Sequence, residues 1–193
     1  MKKINKNELV IICGPNGSGK TTFSKAFLKN RAYIYLCADD IAKEIDPDNF
    51  DKARLRAGKE FFHRLEKHKK QQDDILIENT LSGLYLRKMI PQFKEQNYLI
   101  SIVFIFIDNP QICIERIKER VLKGSHYVTD KDVIRRYYRS NLNFWNHYRL
   151  LANNWHLSYN SEDQFKTIAV GVQDQYQIKI NNIFEKFIKK LEL

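Results

Sequence analysis

Apolar runs and amphipathic stretches alternate along the whole chain. Residues 9–13 (Leu9-Val10-Ile11-Ile12-Cys13), 33–36, 75–77 and 155–159 are short apolar runs, and 99–107 is the most apolar stretch of all. Runs of this length, rich in β-branched and aromatic residues, predict strands, and unbroken ones predict strands buried on both faces. Between them the apolar residues recur at helical spacing: Leu55, Phe61, Phe62 and Leu65; Leu86, Met89, Ile90 and Phe93; Ile114, Ile117 and Val121. Pro91 is expected to kink or start its helix. Thr129 is placed to cap a long helix over about residues 130–151, whose core-facing stripe would be Ile134, Tyr138, Leu142 and Trp145. Residues 166–170 suggest an edge strand. A C-terminal amphipathic helix is expected over about residues 175–192, with Ile180, Ile183, Phe184, Phe187 and Ile188 on one face. Strands alternating with helices predict an α/β fold, a parallel β-sheet of about five strands flanked by helices.

Between the first strand and its helix lies Gly14-Pro15-Asn16-Gly17-Ser18-Gly19-Lys20-Thr21, which satisfies G-x-x-x-x-G-K-[ST] at every fixed position. The strand–loop–helix setting is the one this motif requires, so the fold class becomes that of P-loop NTPases. Glycines let successive amides turn inward around phosphate oxygens, and the following helix presents its positive end to the same anion. Lys20 is the group for the β- and γ-phosphates, the Thr21 hydroxyl is the ligand for Mg²⁺, and Thr22 continues the loop. ATP or GTP with Mg²⁺ is the expected cofactor.

Composition changes the picture in a few respects. The 193 residues suit one domain over 1–193. A formal charge of +10 calls for an anionic partner without choosing among nucleotide, nucleic acid, anionic substrate and acidic protein. Cys13, Cys37 and Cys113 are odd in number and widely spaced, which is not a disulfide framework. No run approaches membrane-spanning length and the basic start at residues 1–3 is no signal peptide, so a cytoplasmic location without membrane attachment is expected.

The chemistry then rests on polar residues that follow strands. Asp39 and Asp40 end the second strand, and Glu78 and Thr80 the third. A carboxylate beside a γ-phosphate can accept the proton of an attacking hydroxyl, as an aspartate does in kinases. For Asp39 that role is preferred over a helix cap; for Asp40 a cap and a substrate contact weigh equally. Glu78 and Thr80 are read as facing the substrate. Arg116, Arg120, Arg135, Arg136 and Arg139 flank the break at Gly124-Ser125-His126 and suggest a small helical lid, about residues 120–140, that brings positive charge over a transferring phosphoryl group.

Residues 14–21, Ala38-Asp39-Asp40-Ile41-Ala42, Glu78-Asn79-Thr80-Leu81-Ser82-Gly83, 120–128 and 134–140 form an ordered set. In that order and spacing the chain resembles the zeta-toxin family of P-loop kinases, in its compact chromosomal branch. The resemblance spans roughly residues 9–161. It implies phosphorylation of an alcohol hydroxyl on a UDP-activated amino sugar, UDP-N-acetylglucosamine, and a protein antitoxin as partner. By position it assigns Asp39 as catalytic base, Glu78 and Thr80 as sugar-nucleotide contacts, and Arg120 and Arg136 as the arginines that act with Lys20 in catalysis; Asp40 and His126 are further candidates for contact with that anionic substrate. Cys37 stands where the family pattern has asparagine, and Ser125 where it has glycine.

Other readings remain. The acceptor could be another small molecule or a polynucleotide 5′ end. The chain could be a nucleic-acid-binding NTPase, with Tyr137, Tyr138, Phe144, Trp145 and Tyr148 stacking on bases, although a core-facing stripe explains those aromatics more simply. Leu81-Ser82-Gly83 begins like an ABC-type signature but lacks the rest of it. Asp108 could be a Mg²⁺-facing carboxylate at the end of the apolar strand, or a cap before Asn109-Pro110.

Overall fold

A computed structural model describes residues 6–192 apart from residues 125 and 163, and apart from the Asp51 side chain. Ser125, which departs from the family pattern, therefore lies outside the described residues. The strands are β1 (Glu8–Cys13), β2 (Ile34–Cys37), β3 (Ile75–Asn79), β4 (Leu99–Phe106), β5 (Asn154–Tyr159), β6 (Lys166–Val172) and β7 (Gln175–Ile178). They form a seven-stranded sheet in the order β2-β3-β1-β4-β5-β6-β7. The first five run parallel to one another, whereas β6 pairs antiparallel with both β5 and β7. Hydrophobicity explains the centre: β1 and β4 pair from Glu8↔Leu99 to Cys13↔Phe104, and Ile11, Ile12, Ile102 and Phe104 are fully buried between helical layers.

The sheet is wider than the five strands expected because β7, Gln-Tyr-Gln-Ile, is exposed throughout and carries no apolar signal. It is held by its ladder to β6 and by Tyr176, which packs edge-on to Trp145 at 5.4 Å. The residues 166–170 expected at the edge thus fall in β6, one strand inside it. The C-terminal helix is shorter than expected for the same reason, because residues 175–178 belong to β7.

The helices are α1 (Lys20–Leu28), α2 (Ala38–Ile45), α3 (Phe50–Gln71), α4 (Tyr85–Glu95), α5 (Pro110–Leu122), α6 (Asp130–Asn143), α7 (Arg149–Leu151) and α8 (Asn181–Lys189), with a π-helical turn, Phe144–Tyr148, joining α6 to α7. Pro91 lies inside α4 beyond its first turn, so it does not start that helix. Thr129 caps α6, its hydroxyl accepting from the Asp132 amide at 3.2 Å.

The buried face of α6 differs from the expected stripe by one position. Val133, Tyr137, Ser140, Asn141 and Phe144 are buried, while Ile134 is 40% exposed. The π turn then rotates Tyr148 inward, where its hydroxyl donates to the Gly83 carbonyl at 2.7 Å. Asn143 donates to the Leu81 carbonyl at 2.7 Å. These bonds fasten the α6 end to the loop that follows β3, and so to the sheet edge where the polar residues gather.

Candidate active site

The residues 14–21 pass from β1 to α1 as a loop with Gly14 at φ 141°, Gly17 at 79° and Gly19 at 93°. Gly14 shows why the sequence needs glycine: a Cβ there would sit 2.5 Å from the Ile105 carbonyl oxygen. That oxygen belongs to the central sheet and has nowhere to move. Gly14→Ala is expected to lower stability by about 1–3 kcal/mol, a drop in Tm of roughly 3–10 °C for a domain of this size; a thermal melt measures it. At Gly19 a Cβ would meet the Asn160 amide nitrogen at 2.5 Å. Asn160, just after β5, donates that amide to the Ser18 carbonyl at 2.9 Å. Arg116 in turn donates to the Asn160 carbonyl at 2.8 Å. The loop is thereby tied to the far strand and to α5.

The Lys20 ammonium is folded onto the loop itself, donating to the Gly14 carbonyl at 3.1 Å and the Pro15 carbonyl at 2.9 Å. Burial holds its pKa below the ordinary lysine value, while Glu78 and Asp39 pull it back up. One residue on, the Thr21 hydroxyl donates to Glu78 Oε2 at 3.0 Å. Tyr35 donates to the other carboxylate oxygen at 2.7 Å. Glu78 is 6% exposed. The sheet order creates this contact: β3 lies beside β1 with Ile12 opposite Glu78, so the carboxylate reaches the start of α1.

These groups line a cavity of about 630 Å³. Its wall includes Asn16, Gly17, Gly19, Lys20, Thr21, Thr22 and Lys25 from the loop and α1, and Tyr35, Cys37, Asp39, Asp40 and Lys43 from β2 and α2. Glu78, Arg116, Arg120 and His126 complete it. Asp39 and Asp40 occupy the first turn of α2, behind Cys37 as the capping residue, so neither is itself the cap. Asp39 is half exposed, at 51%. Burial and the nearby Glu78 push the Asp40 carboxyl up, and burial with the same glutamate pushes the Cys37 thiol up to about 11. The Arg120 guanidinium has its Nε and Nη2 buried with no hydrogen-bond partner among the described residues. Buried donors of that kind are costly unless a ligand satisfies them.

The other expected residues divide plainly. Gly14, Pro15 and Ser18 form the loop behind the cavity rather than its wall. Thr80 is not on the cavity wall; its hydroxyl pairs with that of Ser82 at 2.9 Å. Arg136 does not line it either, but donates to Asn16 Oδ1 at 3.3 Å, bracing the loop from α6. Burial and the nearby Arg54 hold its pKa below the ordinary arginine value. Arg135 pairs with Asp132 at 2.6 Å, mostly in solvent. Asp108 lies elsewhere: it accepts from the Tyr159 hydroxyl at 2.6 Å and lines a separate cavity of about 330 Å³ with Lys186 and Lys189. Glu78, not Asp108, is the carboxylate bonded to the Thr21 hydroxyl. The aromatics suggested as a base-stacking surface are committed to packing, since Tyr137, Phe144 and Tyr148 are fully buried and Trp145 packs against the core.

Sequence reading missed Tyr35 and Phe50. Tyr35 stands two positions before Cys37 in β2, and its alternation onto the cavity side was the available signal. Phe50 stacks on the His126 ring at 3.8 Å between centroids, inclined by 12°; it opens α3 after a polar turn, and nothing local in the sequence marks it.

Comparison with known proteins bears on this site. A family described as an AAA domain matches residues 9–140. An uncharacterized protein of Haemophilus influenzae is 31% identical over 134 residues, which is 69% of this chain and 95% of that protein. A solved structure from the PezAT chromosomal toxin–antitoxin system of Streptococcus pneumoniae superposes with a TM-score of 0.65 at 12% identity, over 99% of this chain and 88% of the other. The AvrRxo1-ORF1:-ORF2 structure with ATP gives 0.74 at 13% identity, covering 94% of this chain and 63% of its own. The chain thus spans less than two thirds of that last protein. These likenesses show the fold, a P-loop α/β architecture. No described helix is long and apolar enough to cross a membrane.

Proposed function

From the premise that this chain belongs to the AAA domain family, we propose that it is a kinase that moves the γ-phosphate of ATP or GTP to an alcohol hydroxyl of a UDP-activated amino sugar of the UDP-N-acetylglucosamine type. One observation carries the reading. The phosphate loop with Lys20, the half-exposed Asp39 and the unpartnered Arg120 guanidinium share the wall of one cavity. Nucleotide binding alone would not need a free carboxylate there.

The chemistry follows from those groups. Loop amides and Lys20 hold the β- and γ-phosphates. The acceptor oxygen attacks the γ-phosphorus; that O–P bond forms, the bridging bond to the β-phosphate breaks, and the acceptor proton passes to Asp39. Arg120 supplies hydrogen bonds to phosphoryl oxygens as charge spreads over them. The Thr21 hydroxyl bonded to Glu78 provides the hydroxyl-plus-carboxylate donor set suited to Mg²⁺, an oxygen-loving ion. When bound there, Mg²⁺ would offset charge on the β- and γ-phosphates. Glu78 is thus assigned to the metal end of the cavity, and Thr80 to shaping the loop behind it.

The substrate class follows the motif resemblance, and charge is consistent with it. Lys20, Lys25, Lys43, Arg116 and Arg120 outnumber Asp39, Asp40 and Glu78 on the cavity wall, five cations to three carboxylates. The positive balance favours anionic ligands, a nucleotide and a nucleotide-linked acceptor among them. A protein antitoxin is proposed as partner because the similar PezAT structure comes from a toxin–antitoxin system. The test incubates the protein with Mg²⁺-ATP or Mg²⁺-GTP and a panel of nucleotide sugars, nucleosides and oligonucleotides, followed by phosphorus NMR and mass spectrometry. A new phosphomonoester on the amino-sugar moiety of a nucleotide sugar is expected. Phosphate gained only by a nucleoside or an oligonucleotide end would overturn the substrate, and hydrolysis with no acceptor labelled would overturn the kinase.

A further inference from the structure

Resting on that kinase reading, we infer that His126 is a positioning residue: by stacking on Phe50 and facing Asp39 from the cavity wall it keeps the Asp39 carboxylate placed for the acceptor. The geometry is specific. The imidazole lies flat on the Phe50 ring, 3.8 Å away and inclined by 12°. Its Nε2 is 3.8 Å from Asp39 Oδ2. The histidine side chain is only 12% exposed although its neighbours Gly124 and Tyr127 are exposed. So His126 joins two elements across the cavity, α2 through Asp39 and α3 through Phe50, while Val128 beside it turns into the core.

Charge around the ring defines its working form. Asp39 and Lys43 face it from α2, Arg54 from α3 and Arg120 from α5. Burial and the three cations hold its pKa below the ordinary histidine value, and Asp39 alone opposes them. At neutral pH the imidazole is therefore uncharged. It leaves the Asp39 lone pairs available to the acceptor proton, whereas a protonated ring would hold them in an ion pair. The contact at 3.8 Å is longer than a hydrogen bond, so the neutral ring orients the carboxylate without capturing it.

Histidine NMR tests this in the intact chain without any need for turnover. His126→Phe identifies the resonance by its disappearance. The Cε1–H signal is expected upfield through the Phe50 ring current and returns downfield in Phe50→Leu. Its titration midpoint is expected below about 6.5, the value of an exposed imidazole, and lower still in Asp39→Asn, because the one attracting charge is gone. A resonance at the exposed-imidazole position that ignores both substitutions overturns the inference. With whichever acceptor the panel labels, His126→Ala is expected to raise acceptor KM about tenfold, and His126→Phe, which keeps the stack, to restore KM within about threefold. Both variants are expected to lower kcat about tenfold through a misplaced Asp39. Wild-type KM and kcat in His126→Ala would also overturn it. Failure to label any acceptor, with the NMR results intact, counts against the kinase reading alone.

Discussion

Replacing Asp39 by asparagine is expected to cut phosphoryl transfer by about three orders of magnitude, within the range a general base contributes, and to leave nucleotide affinity within about twofold. Asparagine keeps the size of the side chain and its ability to hydrogen-bond a hydroxyl, but cannot take the proton. Nucleotide affinity is expected to be spared because the proposed phosphate contacts come from residues 14–21, a segment distinct from α2. The fold is spared as well. Asp39 is 51% exposed, and its structural contribution is that of an acid in the first turn of α2, about 0.3–1 kcal/mol. Asp40→Asn is the informative control: it alters the same helical turn at a carboxyl that burial and Glu78 already disfavour as an anion. ADP release with the labelled acceptor measures turnover, and calorimetric titration with a non-hydrolysable nucleotide measures affinity. Near-normal turnover in Asp39→Asn would remove this carboxylate from the reaction, whatever the acceptor.

How much of this site could be read from the chain depends on how local each signal is. The phosphate loop was legible residue by residue, because its backbone needs glycine at particular φ angles and those needs are written within eight positions. Asp39 was legible as a carboxylate at a strand end. The partnership of Thr21 with Glu78 was not, since it requires that β3 rather than β2 flank β1. Strand order is set by long-range pairing that no local pattern encodes. In sequence Glu78 read as substrate-facing and Asp108 as a Mg²⁺-facing carboxylate or a cap, while the structure separates them into different cavities. The aromatic run after Arg135 failed differently. Most of its residues pack in the core, but periodicity fixes the repeat more firmly than its phase, and the expected stripe put Ile134 inside and Val133 outside. At the far edge, β7 is four residues long and exposed throughout, so its Gln-Tyr-Gln-Ile alternation was too short to mark a strand.

Lys20→Ala is expected to lose transfer by about a thousandfold or more, at the upper end of what one preorganised charge contributes, while the fold keeps its Tm within about 3 °C. The two halves of that expectation have one origin. The ammonium satisfies the Gly14 and Pro15 carbonyls from a partly buried position. Burial depresses its pKa, so the folded chain binds that proton less tightly than the unfolded chain does. At neutral pH the charged lysine therefore works against folding, and removing it relieves a desolvation cost that offsets the lost bonds to the loop. The same removal is severe for chemistry. Glu78 and Asp39 remain in the cavity with a triphosphate and lose the cation that faces both. Repulsion then falls hardest on the γ-phosphate, whose charge must spread during transfer. A melt paired with single-turnover phosphate transfer reads both quantities on one sample. A variant that unfolds early would show Lys20 to be structural, and one that transfers phosphate at the wild-type rate would show that the loop binds its anion without presenting it for reaction.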